Sequence, residues 1–203
     1  MSYASCALLS VISKAVAAEG LSGFEFASGI PGSLGGGVFM NAGAYDGEMK
    51  NVLSRVRSVN RKGEIIVRGV NELELSYRHS IFMDNNEIIL SAEIELEKGD
   101  PEQINAKIAD FTQRRITKQP LQYPSAGSFF KRPEGYYAGK LIQDAGLKGV
   151  CIGGAMVSPL HAGFIVNTGS ATATDIIDLM KVIQETVMEK FSVMLEPEVR
   201  IIG

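Results

Sequence analysis

The stretch Gly29-Ile30-Pro31-Gly32-Ser33-Leu34-Gly35-Gly36-Gly37, followed by Asn41-Ala42-Gly43-Ala44-Tyr45, is a dense run of small residues around one proline. A proline opening a helix, with glycine and serine beside it, exposes backbone N–H groups with no side chains in the way, and such a terminus suits a phosphate or diphosphate. Two familiar phosphate loops are excluded by their missing residues. Gly35-x-Gly37 lacks the third glycine of a dinucleotide fingerprint and an acidic partner about 20 residues on, and no Lys-Ser/Thr follows the glycines as a P-loop requires. The same glycines also suit tight packing of a helix on a sheet, so this stretch alone leaves both readings open.

On the N-terminal side, residues 4–18 have helical spacing, with Leu8, Leu9, Ile12, Ala15 and Val16 on one side and Gly20 and Gly23 beyond. On the C-terminal side the period changes to two from Val52. Leu53, Arg55, Arg57 and Val59 then share one face and Val56 the other. Arg61-Lys62-Gly63 is a turn, Glu64–Arg68 returns as a second strand, and Glu87–Glu97 forms a long third one. At Asp100 the character changes. Asp100-Pro101-Glu102-Gln103 has the chemistry of a helix start, and Ile104, Ile108 and Phe111 recur at helical spacing until Pro120. A polar loop spans 119–133, and a short helix covers Ala138–Ala145, ending at Gly146. Short strands follow at Val150–Val157 and Gly163–Asn167. Thr174-Asp175 is expected to cap a last helix striped with Ile176, Leu179, Met180, Ile183, Val187 and Phe191, and Val199–Ile202 to form a terminal strand. This order describes an α+β protein with a boundary near residue 98, giving domains 1–98 and 99–203.

Composition narrows the function. The 203 residues carry 20 Lys+Arg against 23 Asp+Glu, a net charge of -3, with 45% hydrophobic and 21% charged residues. That balance excludes a disordered chain and a nucleic-acid binder working by bulk positive charge. Cys6 and Cys151 form no CxxC pair, which speaks against a zinc site or disulfide framework and suits a reducing cytosol. No segment reaches the roughly 18–20 uninterrupted apolar residues of a membrane span. The run from Ala4 to Ala18 reads as an amphipathic helix rather than a signal peptide, because Met1-Ser2-Tyr3 supplies no basic side chain and Lys14 interrupts the apolar region.

Three further segments carry chemistry-bearing side chains. In Tyr77-Arg78-His79-Ser80 the arginine could fork onto a carboxylate with two parallel hydrogen bonds. In Ser125-Ala126-Gly127-Ser128-Phe129-Phe130-Lys131-Arg132-Pro133 a serine could donate a proton if neighbouring cations lower its pKa. In Leu195-Glu196-Pro197-Glu198-Val199-Arg200, alternation points Glu196 and Glu198 the same way. Each has an ordinary structural alternative: a surface arginine, a turn serine, a solvated strand end. His79 and His161 lack metal-ligand spacing and read as hydrogen-bonded structural residues.

Taken in order, GIPGSLGGGVFMNAGAYDGEM, SYRHSIF, SAGSFFKRPEGYYAGKLIQDAGLKG, VSPLHAGFIVN and LEPEVRIIG resemble the UDP-N-acetylenolpyruvoylglucosamine reductases, the MurB family, from about residue 5 to the C-terminus. The direct passage from the hairpin through YRHS to a long strand looks like the family's shorter, second type. The resemblance implies the second lobe of a vanillyl-alcohol-oxidase-type FAD-binding domain, followed by a C-terminal substrate-binding domain whose terminal stretch 195–202 returns to the active-site cleft. It implies hydride transfer from NADPH through FAD to UDP-N-acetylglucosamine enolpyruvate, giving UDP-N-acetylmuramate. It assigns Ser128 as proton donor, with Arg78 and Glu198 stabilising the enolate-like carboxyl group and Glu196 as the rival carboxyl. Tyr77, Lys131 and Arg132 fall to the substrate. Ile30, Pro31, Gly32, Ser33, Gly35, Gly36, Asn41, Gly43, Ala44 and Tyr45 fall to the flavin. Family members carry another flavin-binding lobe before the first helix, and the expectation is that this chain lacks it. The competing expectations are a fragment that binds UDP-sugar without catalysis and a related flavoenzyme acting on another substrate.

Overall fold

The computed structural model describes residues 1–45 and 47–202; Asp46 and Gly203, which fall in two of the motifs quoted above, lie outside the described residues. The chain divides into two compact units, Met1–Arg115 and Ile116–Gly203.

The first unit is organised by the two-residue alternation after Val52. Strands β1 (Ser2–Ala4), β5 (Leu53–Val59), β6 (Ile65–Gly69) and β7 (Ile88–Ile94) form an antiparallel sheet in the order β1-β7-β5-β6. Between them in sequence lie α1 (Leu9–Ala18), β2 (Leu21–Ser22), α2 (Leu34–Phe39), β3 (Gly43–Ala44) and β4 (Gly47–Glu48). Leu9, Ile12 and Val16 of α1 and Leu34 and Val38 of α2 are buried in one cluster with Val56, Ala92 and Ile94 of the sheet. The turn between β5 and β6 falls where Arg61-Lys62-Gly63 put it: the Asn60 side chain accepts from the amides of Lys62 and Glu64, and Gly63 has φ +84°.

Two expectations for this unit need correction. The helix does not begin at residue 4. Residues 2–4 instead pair with β7, giving its backbone groups partners, and Leu8 is the extended N-cap of α1 and 53% exposed. Ala15 is exposed too, and the buried face is Leu9, Ile12, Ser13, Val16 and Ala17. Leu53 does not share the face of Arg55, because the β5–β7 register shifts between these residues and turns Leu53 inward with Val56.

After β8 (Glu97–Lys98) comes α3 (Pro101–Lys118), whose start is capped as read: Asp100 accepts from the Glu102 amide at 3.0 Å. The two compact units divide near the end of this helix, between Arg115 and Ile116. The reason is its apolar stripe: Ile104 is buried against Gly99, Phe111 stacks on Tyr45, and Arg115 lies against Gly29, all in the first unit.

In the second unit, β9 (Ser125–Ser128), β10 (Cys151–Ile152), β11 (Ala155–Val157) and β12 (Phe164–Asn167) form an antiparallel sheet ordered β10-β11-β12-β9. Helices α4 (Ala138–Asp144) and α5 (Ala173–Phe191) share its core, where Leu141, Ile142, Leu179, Ile183 and Val187 are buried with Ala155, Val157 and Ile165. The cap of α5 is Thr172 rather than Thr174, with Asp175 closing a reciprocal capping box. Asp175 also accepts from Gly154, and these backbone amides, Thr172 first, hold its carboxyl below the usual range. No side chain fits at Gly154, where a Cβ would lie 2.3 Å from the Ala171 nitrogen. Lys190 donates to the Ala145 carbonyl at 2.7 Å and satisfies the end of α4. The terminal strand expected over Val199–Ile202 does not form. Val199 packs partly against the core, but Ile201 and Ile202 are 61% and 92% exposed, so the alternating face has nothing to bury against.

An ion pair is largely buried in the first unit. Arg68 forks onto Glu87, and Ser58 donates to the same carboxylate at 2.6 Å. The Glu87 side chain is 6% exposed, and the Arg68 hydrogen bond holds its carboxyl below the ordinary value of 4.5. The unfolded chain therefore binds more protons in acid. The stabilisation is complete above the ordinary carboxylate value and drains away as pH falls through the lower folded value. Arg68→Met should cost about 3–5 kcal/mol by urea denaturation at neutral pH, because it strands a buried carboxylate. Arg68→Met with Glu87→Met should recover most of that loss.

Candidate functional site

The glycine loop is partly committed to its own chain. Ser33, not Pro31, begins the helix: it is the N-cap of α2, and its Oγ accepts from the Gly36 amide at 3.3 Å. The amides of Leu34 and Gly35 donate to the carbonyls of Ala7 and Ser5, each at 2.8 Å. The first-turn amides expected to meet a diphosphate are thus already bonded, because residues 5–8 run alongside the loop. Gly35 and Gly37 pack closely, against Ser5 and Leu9, and Ile30 packs against the unit's core. Gly32 differs. A Cβ there meets nothing within 4 Å, and Pro31 and Gly32 are exposed. The open edge suited to a phosphate is therefore Pro31-Gly32-Ser33, ahead of the helix, while Gly36 is open except for Ser33 Oγ at 3.7 Å from a Cβ.

Asn41 has no exposed surface. Its Nδ2 donates to the Ser76 carbonyl at 2.9 Å and to Glu48 at 3.1 Å, and its Oδ1 accepts from the Lys50 amide at 2.9 Å. The side chain joins the β3–β4 hairpin to the backbone just before the Tyr77-Arg78-His79-Ser80 turn. Ser80, also fully buried, donates to the Phe39 carbonyl at 2.7 Å and clamps the same turn from its other end. Arg78 stands in that turn with φ +55°, donates to the Gly43 carbonyl at 3.2 Å, and lies 5.2 Å from the Tyr77 ring centroid. Ala44 pairs with Gly47. Tyr45, at φ +52°, stacks on Phe111 with centroids 4.5 Å apart and donates its hydroxyl to the Phe111 carbonyl at 3.1 Å. Ser80 and Phe111 were not assigned roles from the sequence. A serine directly after Arg-His gives no signal that distinguishes a clamp from a surface turn.

In the second unit, residues 129–131 and 196–198 lie side by side. Phe130 bridges to Pro197, the Lys131 amide donates to the Glu196 carbonyl, and the Glu198 amide donates to the Phe129 carbonyl, both at 2.8 Å. This pairing brings the backbone of Glu198 beside the residue that follows Ser128, at the exposed end of β9. Phe129 and Phe130 are buried beneath it. The Lys131 ammonium is ion-paired with Glu196. Arg132 places its guanidinium 4.0 Å over the Tyr137 ring. His161 accepts from the Gly163 amide through Nδ1 at 3.1 Å and packs edge-on to Phe164; burial, first, lowers its pKa and keeps it neutral. Among the described residues there is no cluster of metal-ligating side chains, and no helix is long and apolar enough to cross a membrane.

Residues 5–69 match the FAD binding domain family, and residues 119–202 match the C-terminal domain of UDP-N-acetylenolpyruvoylglucosamine reductase. The UDP-N-acetylenolpyruvoylglucosamine reductase of Alkaliphilus oremlandii is 59% identical over 196 residues, covering 97% of this chain and 64% of that protein. That of Clostridioides difficile is 53% identical over 203 residues, 100% of this chain and 67% of the relative. The crystal structure of the Thermus caldophilus enzyme superposes with a TM-score of 0.88 at 36% identity, over 98% of this chain and 71% of that one. The chain belongs to the UDP-N-acetylenolpyruvoylglucosamine reductase family. It spans 64–65% of the length of its Alkaliphilus and Clostridium perfringens relatives. The α+β reading, FAD-binding sequence followed by the C-terminal domain of this reductase family, holds. Arg78 and α3 lie between the two matched stretches, so their placement here comes from the structure.

The Asn41 amide gives a direct test. Asn41→Ala leaves the buried Ser76 carbonyl and Lys50 amide without partners, and should cost about 2–4 kcal/mol. Ser80→Ala should cost about 1 kcal/mol. Urea denaturation monitored by circular dichroism measures both.

Proposed function

We propose that this chain serves the NADPH-dependent, FAD-mediated reduction of UDP-N-acetylglucosamine enolpyruvate to UDP-N-acetylmuramate, a cytoplasmic step of peptidoglycan precursor synthesis. The observation that carries the reading is the pairing of 129–131 with 196–198, which brings the segment of a candidate proton donor, Ser128, alongside that of a candidate carboxyl stabiliser, Glu198. The open Pro31-Gly32-Ser33 edge fits a diphosphate group of FAD, with Gly32 leaving room for close approach.

When bound, FAD would supply the hydride. The chain's own residues handle the charge and the proton. Reduction of a double bond next to a carboxylate builds negative charge on the carbon beside it, and that charge must meet a cation and an acid already in place. Arg78, oriented by the Asn41 and Ser80 clamps, would hold the substrate carboxylate. Glu198 would bond a substrate carboxyl group in its protonated form, since a bare carboxylate would repel it. Ser128 would deliver its hydroxyl proton to carbon. Tyr77, Lys131 and Arg132 would contact the substrate's polar periphery, Lys131 by exchanging Glu196 for a substrate anion.

The test separates the two half-reactions. The FAD-loaded protein is reduced with NADPH without oxygen, substrate is added, and flavin absorbance is followed. Ser128→Ala should leave reduction by NADPH unchanged and slow reoxidation by substrate by about 10²–10⁴-fold. Reoxidation at the wild-type rate would remove Ser128 from the mechanism.

A further inference from the structure

We propose that Arg115 is an anion-binding residue of the glycine loop, taking an oxygen of a phosphate or diphosphate group; the proposal rests on the flavin reading of that loop and adds a ligand that lies outside it in sequence. Arg115 stands near the end of α3, which places it against Gly29, the first residue of the loop. A Cβ on Gly29 would lie 2.8 Å from Arg115 Nε and 3.4 Å from its Cζ. The glycine is the gap into which the guanidinium fits.

That guanidinium is only partly exposed, and its Nε is buried with no hydrogen-bond partner. Among the described residues Arg115 makes no ion pair, whereas the neighbouring Arg114 is bonded to Asp110 and the half-buried Arg68 to Glu87. Ser28, the residue before Gly29, likewise has a buried Oγ without a partner. Two donor-bearing groups, one of them permanently charged, thus flank the start of the loop without an acceptor. Leaving such groups desolvated and unbonded is unfavourable, and an oxyanion satisfies both. A guanidinium suits phosphate oxygens in particular because its N–H groups form a planar fork. The loop contributes its own open edge at Gly32. Since the first-turn amides of α2 are already bonded, positive charge for an anion at this loop has to come from a side chain.

Inorganic pyrophosphate is the probe, titrated calorimetrically into the purified chain at two salt concentrations. Wild type should bind saturably and more weakly at high salt. Arg115→Gln should lose at least about tenfold in affinity, a change of about 1.4 kcal/mol, and Arg115→Lys should keep part of it. Without ligand, Arg115→Gln should melt at or above the wild-type temperature, because it removes an unpartnered buried donor from the folded state; a packing role would lower the melting temperature instead. Gly29→Ala, which pushes the guanidinium aside, should reproduce the loss of affinity with Arg115 still present. Absence of saturable binding to wild type, or unchanged affinity in Arg115→Gln, would overturn the proposal. Pyrophosphate binding that depends on Arg115 but is not displaced by FAD would keep the anion site and sink the flavin reading.

Discussion

The carboxamide of Asn41 is buried completely, and its nitrogen and oxygen serve three segments of the first unit at once: Glu48 in the β3–β4 hairpin, Lys50 just after it, and Ser76 before Arg78. An amide is the side chain that can donate and accept at one point, which is what joining these segments requires. Aspartate would lack the donors and leucine would leave backbone groups stranded. Around this junction four of the described non-glycine residues adopt positive φ: Asn41, Tyr45, Glu74 and Arg78. The left-handed region costs ordinary residues about 1–2 kcal/mol each. At three of these the strain is held by specific partners: the Asn41 bonds, the Tyr45–Phe111 stack and the Arg78 bond to Gly43. Strained backbone that is pinned this firmly orients a side chain instead of letting it wander.

The second unit reaches a comparable result with less. Its chemistry-bearing segments meet through one bridge between Phe130 and Pro197, flanked by two backbone bonds and anchored by buried Phe129, Phe130 and Leu195. The Lys131–Glu196 pair reinforces the contact. Glu196 is largely exposed, so the pair sets register more than it stabilises. This short pairing, with the buried side chains beneath it, places the backbone of residues 196–198.

The sequence was most informative where a local pattern met a single packing surface. The hairpin around Gly63 and the apolar stripe of α5 were readable because period, turn residue and burial agree. The chain of motifs identified the family for a related reason, since short polar segments such as GSFFKRP are specified by chemistry. The errors fall where a distant segment intervenes. Leu8 has the spacing of a buried helical residue, but Ser2–Ala4 are taken by β7, so the helix starts later. Leu53 follows the alternation, and a register shift against β7 reverses it. Val199–Ile202 alternates well but forms no strand, and Ile201 and Ile202 stay exposed. Ionisable and amide side chains were the hardest to place. Nothing near Asn41 in sequence announces the carbonyl of Ser76, 35 residues away, to which its amide donates.

The glycine stretch, which fitted both close packing and ligand approach, divides residue by residue. Gly35 and Gly37 are there because Ser5 and Leu9 occupy the space a side chain would need, and Gly29 because Arg115 does. Only Gly32 and Gly36 face room. One loop therefore does two jobs with the same residue type, and the jobs constrain each other. The packing glycines let residues 5–8 lie against α2 and take up its first-turn amides, and that removes the helix terminus as a ready anion site. What remains for an anion is the backbone edge ahead of Ser33 and whatever charge a neighbouring element can bring. The nearby helix α3 brings Arg115. A glycine at position 29 is then as much a requirement of that arginine as of the loop's own conformation.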